Sequence, residues 1–476
     1  MMPSSASEAS PVKKALLDFY RCPEMLVDLG VQNDLSSESD FFHFGQDLVC
    51  YGQSTADSFG AIGTNGPLDL SKHVSFNGPT VQLPFDPSAV VENLRRERYA
   101  SNPYVAQQGI LSGRAIQEAY YFLRPLLAVT VRKRLQRLFH RGWDRLPFPK
   151  WPVDSTVEDL HEKLLLLSMK ARGSEAIPFI WFWPDGATSS LIMTHDVETK
   201  AGLDFLPRLM DIDDAFAIKA SFQIVPQKQY GVPKHCLKAI RDRGFELNVQ
   251  DLDHDGNLFR SQREFLLQAQ AINHYLREYQ ARGFRAGRMY RNADWVEALD
   301  ISYDMSVPNV AHLEAQRGGC CTVFPYFIGK ILELPLTTIE DYCLFEILGD
   351  HSLALWQQQV SLIRERHGLA SFIVHPDYIR QKGALQVYQD LLGYVSALRD
   401  EAKVWIALPS EVDHWWRQRS EMKLTWQGNS WQIEGPGKER ARLAYATLDG
   451  DRLVYSVGKR AKPVVAGRVR TSLSTT

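Results

Sequence analysis

The stretch Leu191-Ile-Met-Thr-His-Asp-Val-Glu198 is the part of the sequence that decides the fold. Three apolar residues lead directly into the ionisable residues His195, Asp196 and Glu198. This pattern predicts a buried strand that ends in acidic and imidazole side chains. Many α/β enzymes present their catalytic groups in this way, because the strand is rigid and its C-terminal end opens onto the pocket.

Two other apolar runs end in the same kinds of side chain. One is Phe245-Glu-Leu-Asn-Val-Gln-Asp-Leu-Asp-His-Asp-Gly256, and the other is Leu369-Ala-Ser-Phe-Ile-Val-His-Pro-Asp-Tyr378. Since the C-terminal ends of parallel strands lie at one edge of a sheet, we expect the three strand ends to share one site.

Composition places the chain among soluble globular proteins and excludes several classes of function. The 476 residues are 45% hydrophobic and 23% charged, with a net charge of -2. That length predicts two or three domains, and the charge argues against a nucleic-acid-binding surface or a polybasic membrane patch. No apolar run approaches the roughly 18 residues of a membrane span, and the N-terminus lacks an apolar signal core, so we expect a cytoplasmic protein. The six cysteines form no C-x-x-C pair and are interpreted as reduced, mostly buried thiols.

Four regions are predicted along the chain. They are a disordered leader (1–20), an N-terminal α+β region of unknown role (21–185), the α/β region (186–415) and a small β appendage with a flexible tail (416–476). The N-terminal region contains three helical patterns, which begin at Pro87 with Asp86 as the N-cap, at Arg114 and at Asp154. They extend to about Tyr99, Phe139 and Arg172. The second half of the middle helix is basic and is interpreted as a solvated face.

An alternation of strands and helices between about residues 190 and 410 predicts α/β architecture with parallel strands. The predicted strands are Leu191–Met193, Ala220–Val225, Phe245–Val249, Ser371–Val374 and Val404–Leu408. The predicted helices include Arg263–Gln280 and Leu353–Arg366. Two β-hairpins are predicted in the appendage, at Leu424–Ile433 and from Leu443–Ala446 to Leu453–Ser456.

The order of the strand-end residues resembles the polysaccharide deacetylase family, that is, the NodB-homology domains of carbohydrate esterase family 4. The resemblance covers roughly residues 190–410. Thr194-His-Asp-Val-Glu198 matches the first motif, a Thr-x-Asp-x-Asp/Glu strand end, and implies that Asp196 is the general base and Glu198 a metal ligand. Gly244-Phe-Glu-Leu-Asn-Val-Gln-Asp-Leu-Asp-His254 has the frame of the second motif, which supplies two histidines at i and i+4. His254 matches the second of these, whereas Gln250 occupies the position of the first.

The remaining motifs follow in the family's order. Gly283-Phe-Arg-Ala-Gly-Arg-Met-Tyr-Arg-Asn292 resembles the Arg-x-Pro loop, with Gly287 in place of the proline, and implies that Arg285 orients the base. Leu332-Glu-Leu-Pro335 is a loose match to the fourth motif, a carboxylate in a strand. Phe372-Ile-Val-His375 fits the fifth and implies that His375 is the general acid. The family resemblance implies a distorted (β/α) barrel, flanked here by the N-terminal extension and the C-terminal appendage.

The resemblance implies one divalent metal held by Glu198, His254 and Gln250, with zinc favoured and manganese or cobalt as alternatives. An amide oxygen is a weaker zinc ligand than imidazole, so Gln250 is expected to weaken metal binding. A nearby carboxylate, Asp251 or Asp255, would compensate and shift the preference toward harder metals.

Three functions are consistent with this sequence. The first is a metal-dependent hydrolase of non-peptide C–N bonds that deacetylates an N-acetylated sugar or a related amide. The second is a catalytically impaired carbohydrate-binding or biosynthesis-associated protein on the same barrel, and the third is a hydrolase of small amides or ureides. The predicted partner is therefore a carbohydrate or small amide, with no nucleic acid and no membrane span.

Four further residues have open interpretations. His195 either supports a site residue from behind without contacting the ligand, or is a hydrogen-bonded core histidine with a structural role. Asp377 lies two residues after His375 and would hold its tautomer. Arg288 and Arg291 are interpreted as solvated or ion-paired surface residues.

Overall fold

A computed structural model describes residues 11–33, 35–55, 67–102, 105 and 142–458 of the chain. The predicted helix from Arg114 to Phe139, the first half of the predicted leader and most of the predicted tail lie outside these residues.

The centre of the molecule is a mostly parallel sheet that curls into a half-barrel. Its order is β12-β13-β11-β10-β9-β8-β7-β14, and β15 pairs with the first half of β7. The strands are β7 (Ser190–Val197), β8 (Ser221–Ile224), β9 (Glu246–Gln250), β10 (Gly283–Arg285), β11 (Tyr303–Asp304), β12 (Tyr326–Ile328), β13 (Ile331–Glu333), β14 (Leu369–Ile373) and β15 (Trp405–Ala407). The strands before β7 are given below with the N-terminal region.

From β7 to β11, consecutive strands are parallel neighbours, which is the arrangement of a (β/α) barrel. β13 then pairs in parallel with β11, and β12 is an antiparallel edge strand on β13. The segment after β13 reaches β14, where Thr338 N donates to Ser371 O (3.3 Å) and Ser371 N donates to Thr337 Oγ1 (2.8 Å). The predicted α/β class is confirmed. The described strands do not form a complete barrel, because their hydrogen-bond ladder does not close.

Helices follow the strands and cover the sheet, as the sequence predicts. They are α1 (Lys14–Tyr20), α2 (Pro87–Arg95), α3 (Thr156–Arg172), α4 (Lys200–Ala215), α5 (Lys234–Asp242), α6 (Gln262–Glu278), α7 (Ala354–Glu365), α8 (Pro376–Ile379), α9 (Lys382–Ala402) and α10 (Pro409–Glu421), with a π-helical turn at Cys343–Leu348. The predicted cap of α2 is confirmed, since the Asp86 side chain accepts hydrogen bonds from Ser88 N and Ala89 N. The predicted helices that begin near Asp154, Arg263 and Leu353 correspond to α3, α6 and α7.

The N-terminal region contains short strands that pack beside the half-barrel. They are β1 (Leu29–Val31), β2 (Asp40–His43), β3 (Val49–Gly52), β4 (Ser75–Asn77), β5 (Thr80–Leu83) and β6 (Ala176–Ile180). The second half of the predicted leader is a helix, α1, with Leu16 and Tyr20 buried in the core. The prediction of disorder is therefore wrong for these residues, because the apolar face of α1 packs against the body of the protein.

Both predicted C-terminal hairpins are confirmed. They are β16 (Lys423–Gln427) with β17 (Ser430–Glu434), and β18 (Leu443–Asp449) with β19 (Arg452–Val457). β18 also pairs with β6, so the appendage extends a sheet that begins before the half-barrel. No helix among the described residues has the length and apolarity needed to cross a membrane.

Candidate active site

The three strand ends singled out in the sequence meet at one edge of the half-barrel. β7 brings Asp196 and Glu198, β9 ends at Gln250, and His375 follows β14. β7 and β14 are adjacent, with Thr194 opposite Ile373, and β9 lies two strands from β7 on its other side. The expectation of one shared edge is confirmed.

Asp196 is a buried carboxylate with both oxygens occupied. Its Oδ1 accepts from Nη1 of Arg285 at 3.1 Å, and its Oδ2 accepts from Nε2 of Gln250 at 3.0 Å. Gln250 and Arg285 are register partners on neighbouring strands, which explains why both reach the same carboxylate. Burial raises the pKa of Asp196 above its ordinary value, although the Arg285 charge opposes that shift.

Arg285 also fixes the strand that carries Asp196. Its Nη1 donates to Thr194 Oγ1 at 3.0 Å, and Thr194 Oγ1 donates to Phe372 O at 2.6 Å. Thr194 and Asp196 therefore share the interior face of β7, as residues two apart on a strand do. The guanidinium is fully buried, so the site depends on its charge being matched by acidic neighbours.

Glu198 lies between two histidines at the mouth of the site. Its Oε1 is 2.9 Å from Nε2 of His254 and 3.6 Å from Nε2 of His375. Burial by itself would raise the pKa of Glu198, but the two imidazoles hold it well below its ordinary range. Burial likewise would lower the pKa of His254, and the Glu198 carboxylate raises it instead.

His375 is held by Asp341, a residue that the sequence did not single out. Nδ1 of His375 donates to Asp341 Oδ1 at 2.6 Å, and its backbone N donates to Oδ2 at 2.9 Å. Burial would lower the pKa of His375, but Asp341 and then Glu198 raise it well above its ordinary value. The prediction that Asp377 holds this tautomer is wrong, because the Asp377 carboxylate accepts from Thr199 Oγ1 instead.

Nothing in the spacing of the sequence pointed to Asp341. It lies in the polar segment Thr337-Thr-Ile-Glu-Asp341, 34 residues before His375. Only the approach of the segment after β13 to β14 brings the two side chains together. The one local signal in the sequence is that this segment is polar although it follows an apolar strand.

The metal-ligand set implied by the family resemblance is present in part. The amide NH₂ of Gln250 is used by Asp196, and its Oε1 is buried with no hydrogen-bond donor among the described residues. Together with the Glu198 oxygen and the His254 nitrogen, this unpaired oxygen is of the type that would hold a divalent ion. The residue types present therefore fit a metal, with one weak ligand.

Of the two carboxylates considered as compensating ligands, Asp251 lies beside His254. A Cβ built on Gly287 would lie 2.3 Å from Asp251 Oδ2 and 2.8 Å from His254 Cδ2. Glycine at the position of the family's proline thus leaves room for both side chains. Burial raises the pKa of Asp251 to about 6. Asp255 N donates to Asp253 Oδ1 within the same loop, and no contact of Asp255 with Glu198 or Gln250 is seen in the described residues.

The fourth-motif residue Glu333 lies deeper in the half-barrel. It is the register partner of Asp304, and both are buried next to Arg285. Burial raises the pKa of Glu333 well above its ordinary range, and Asp304 raises it further. Neither carboxyl group accepts a hydrogen bond from Arg285. Asp304 accepts from Ser306 Oγ and Glu333 from Val307 N, while Nε and Nη2 of Arg285 have no acceptor among the described residues.

His195 points away from the site, as its alternation with Asp196 requires. Its Nδ1 donates to Val374 O at 2.8 Å, and its Nε2 is 3.2 Å from Asp213 Oδ2 and 3.2 Å from the Tyr388 hydroxyl. Val374 directly follows β14, Asp213 lies on α4 and Tyr388 lies on α9, so His195 connects two helices to the strand. Of the two interpretations of His195, the structure supports the structural one.

The two arginines of the third-motif loop differ in their surroundings. Arg291 is buried and forms an ion pair with Glu97, which comes from the N-terminal region. The predicted ion pairing is confirmed for Arg291, while its placement at the surface is wrong. Arg288 lies close to Gly256 in the loop that carries His254.

Comparison with solved structures returns polysaccharide deacetylases and pseudoenzymes of the same family. A protein from Mycobacterium smegmatis assigned as a polysaccharide deacetylase is 18% identical, with a TM-score of 0.42 over 50% of this chain and 93% of that one. The peptidoglycan deacetylase PdaC from Bacillus subtilis is 9% identical, with a TM-score of 0.32 over 49% of this chain and 93% of that one. A carbohydrate esterase family 4 pseudoenzyme from Bacillus anthracis is 15% identical, with a TM-score of 0.32 over 48% of this chain and 66% of that one.

These structures carry the family name that the strand-end motifs indicate, and active and inactive proteins are both among them. With TM-scores below 0.5, they assign no activity to this chain. No protein-family model matches the sequence, and no curated protein matches it.

Proposed function

We propose that this protein is a metal-dependent hydrolase of non-peptide C–N bonds, of the polysaccharide-deacetylase type. The proposed substrate is an N-acetylated sugar or a related amide. One observation carries the proposal: Asp196 and His375 are each held by a dedicated partner, Arg285 and Asp341, with Glu198 next to His375. A base and an acid that are fixed at one strand edge are what amide hydrolysis needs.

Asp196 is proposed as the general base. A carboxylate offers about four lone-pair positions, and Arg285 and Gln250 use two, so Asp196 can still accept a proton from an attacking water. Its buried setting raises its pKa, which moves it toward the neutral range where a general base works best. Arg285 is proposed to orient the carboxylate and keep it ionised.

His375 is proposed as the general acid. Asp341 fixes the ring through Nδ1, so Nε2 is the nitrogen that faces Glu198. The raised pKa favours the protonated ring, which is proposed to donate its Nε2 proton to the leaving amine.

Glu198, His254 and Gln250 are proposed to hold the divalent ion. When bound, such an ion lowers the pKa of water and polarises the substrate carbonyl. The amide oxygen of Gln250 makes this a weaker site than one with two imidazoles, and zinc, cobalt and manganese are all compatible with the donor set.

Activity of the full chain tests the proposal. The purified protein is assayed with zinc, cobalt or manganese on N-acetylglucosamine oligomers and on small amides or ureides, which separates the two substrate classes. Asp196→Asn and His375→Gln are each expected to lower the rate by roughly 10² to 10⁴. His274→Gln is the matched control, since His274 is exposed on α6 and belongs to none of the strand-end motifs. Absence of turnover on every substrate with every metal would overturn the proposal.

A second candidate, a binding protein without turnover, is favoured by Gln250. The amide donates to Asp196 Oδ2 and so occupies part of the base, besides removing an imidazole from the metal set. Gln250→His separates the two candidates. If the native chain is inactive and Gln250→His gains activity and metal affinity, catalysis has been lost; turnover by the native chain rules out the binding-only function.

A further inference from the structure

A second group of metal-binding side chains shares no residue with the set Glu198, His254 and Gln250. One carboxylate oxygen from each of Glu314 and Glu340, and Sγ of Cys343, lie within 4.8 Å of one another. Cys343 Sγ and Glu340 Oε1 are 3.3 Å apart. This group is called the Glu-Glu-Cys cluster below.

Local structure explains how the cluster is assembled. Glu340 and Cys343 are three residues apart at the start of a helical turn, where Leu344 N donates to Glu340 O, so both side chains lie on one face. Cys343 begins the π-helical turn, a geometry that is frequent at functional sites. Glu314 comes from a separate loop and faces the other two.

Glu314 is buried without a partner. It is 9% exposed, and no described group donates a hydrogen bond to its carboxylate. The nearest cationic side chains are committed elsewhere, since Arg291 pairs with Glu97 and His375 pairs with Asp341. A buried carboxylate without a hydrogen bond is costly unless a cation or a proton accompanies it.

A small cavity lies next to Glu314. Glu314 lines a cavity together with Trp151, Thr338 and Gln359. A water molecule or another small ligand in this cavity would therefore have access to the cluster on the Glu314 side.

We propose that the Glu-Glu-Cys cluster binds a divalent metal of the zinc class, with the fourth position facing this cavity. Zinc bonds of about 2.3 Å to sulfur and about 2.1 Å to oxygen place tetrahedral sulfur and oxygen ligands about 3.6 Å apart. The observed separation of 3.3 Å needs only a small adjustment. Three protein ligands with one open position is the donor count of many zinc sites that exchange a water. Binding displaces the Cys343 thiol proton and any proton shared by the two carboxyl groups, and these protons leave to solvent.

Cobalt absorption tests the site directly. The metal-free full chain is titrated with Co²⁺, and a thiolate-to-cobalt charge-transfer band in the near ultraviolet is expected at up to one ion per chain. Cys343→Ser is expected to abolish the band, and Glu314→Gln to weaken cobalt and zinc binding by roughly tenfold or more. Cys236→Ser is the matched control, because Cys236 is the partly exposed cysteine and lies on α5 away from the cluster.

The readout is independent of the proposed hydrolase. His254→Gln is expected to keep the band, since His254 contributes no sulfur and belongs to the other ligand set. A native chain that binds cobalt without a charge-transfer band, or a band that survives in Cys343→Ser, would overturn the second site. If His254→Gln loses hydrolase activity but keeps the band, the second metal site is still supported. If the band is absent but hydrolase activity is present, the second site is overturned while the proposed function stands.

Discussion

Removal of the buried Arg285 charge is expected to be among the most destabilising single changes at the site. Arg285 is fully buried and donates to Asp196 at 3.1 Å, and the buried carboxyl groups of Asp304 and Glu333 lie close enough to feel its charge. Arg285→Met leaves Asp196 buried with its counter-charge gone. Breaking one partner of a buried pair costs about 3–5 kcal/mol, so the free energy of unfolding should fall by that amount.

The surface pair Arg277–Asp300 is the matched control for burial. Its Nη1–Oδ2 distance is 2.8 Å, shorter than that of the buried pair, but the two side chains are 65% and 60% exposed. Arg277→Met should therefore cost less than about 1 kcal/mol, because water and salt screen the pair. The residue types and the substitution are the same, so the comparison contrasts a buried with an exposed pair; Arg285→Met also loses the hydrogen bond to Thr194 Oγ1.

A double-mutant cycle measures how strongly the charge of Asp196 depends on Arg285. Asp196→Asn keeps an oxygen for Arg285, and Gln250 can rotate so that its unpaired Oε1 accepts from the new amide. We expect this variant to be milder than Arg285→Met and the double variant to be less destabilised than the sum of the two. Urea unfolding at neutral pH, followed by circular dichroism with the denaturant slope held common, gives the coupling energy. Additive single effects, or equal losses in Arg285→Met and Arg277→Met, would refute the reasoning.

Three further predictions concern other parts of the molecule. Asp341→Asn should lower the pKa of His375, whereas Asp377→Asn should leave it unchanged; NMR titration of the ring decides, and the reverse result would contradict the observed pairing. Burial raises the pKa of Glu158 to about 8, so the native state retains a proton that the unfolded chain loses above about pH 4.5. The free energy of unfolding should therefore fall as the pH rises from about 4.5 to about 8. Glu158→Gln should make the free energy of unfolding less dependent on pH in this interval, and an unchanged dependence would contradict the prediction. Gly319→Ala should lower the melting temperature, because φ is +140° and a Cβ would lie 2.3 Å from Asn309 O; an unchanged melting curve would show that the loop can move.

Much of the fold follows from local pattern. The sequence predicted the fully buried strand β7, the alternation of strands and helices after it, and the Asp86 cap of α2. These features are predictable because hydrophobic periodicity and helix capping depend on residues close together in the chain. The leader prediction failed at α1 because a short amphipathic helix is stabilised by the distant surface that it covers.

The sequence by itself determined which side chains stand at the strand ends, because residues two apart on a strand share a face and parallel strands end at one edge. It placed Asp196, Glu198, Gln250, His254 and His375 at that edge. Tertiary structure alone decided their partners. Asp341 reaches His375, and Glu314 meets Cys343, only because the segment after β13 turns back toward β14, and no spacing along the chain encodes such a contact. The sequence predicted Gln250 as a weak metal ligand. Its hydrogen bond to Asp196 depends on the register of its strand with that of Arg285, which only the tertiary structure decides.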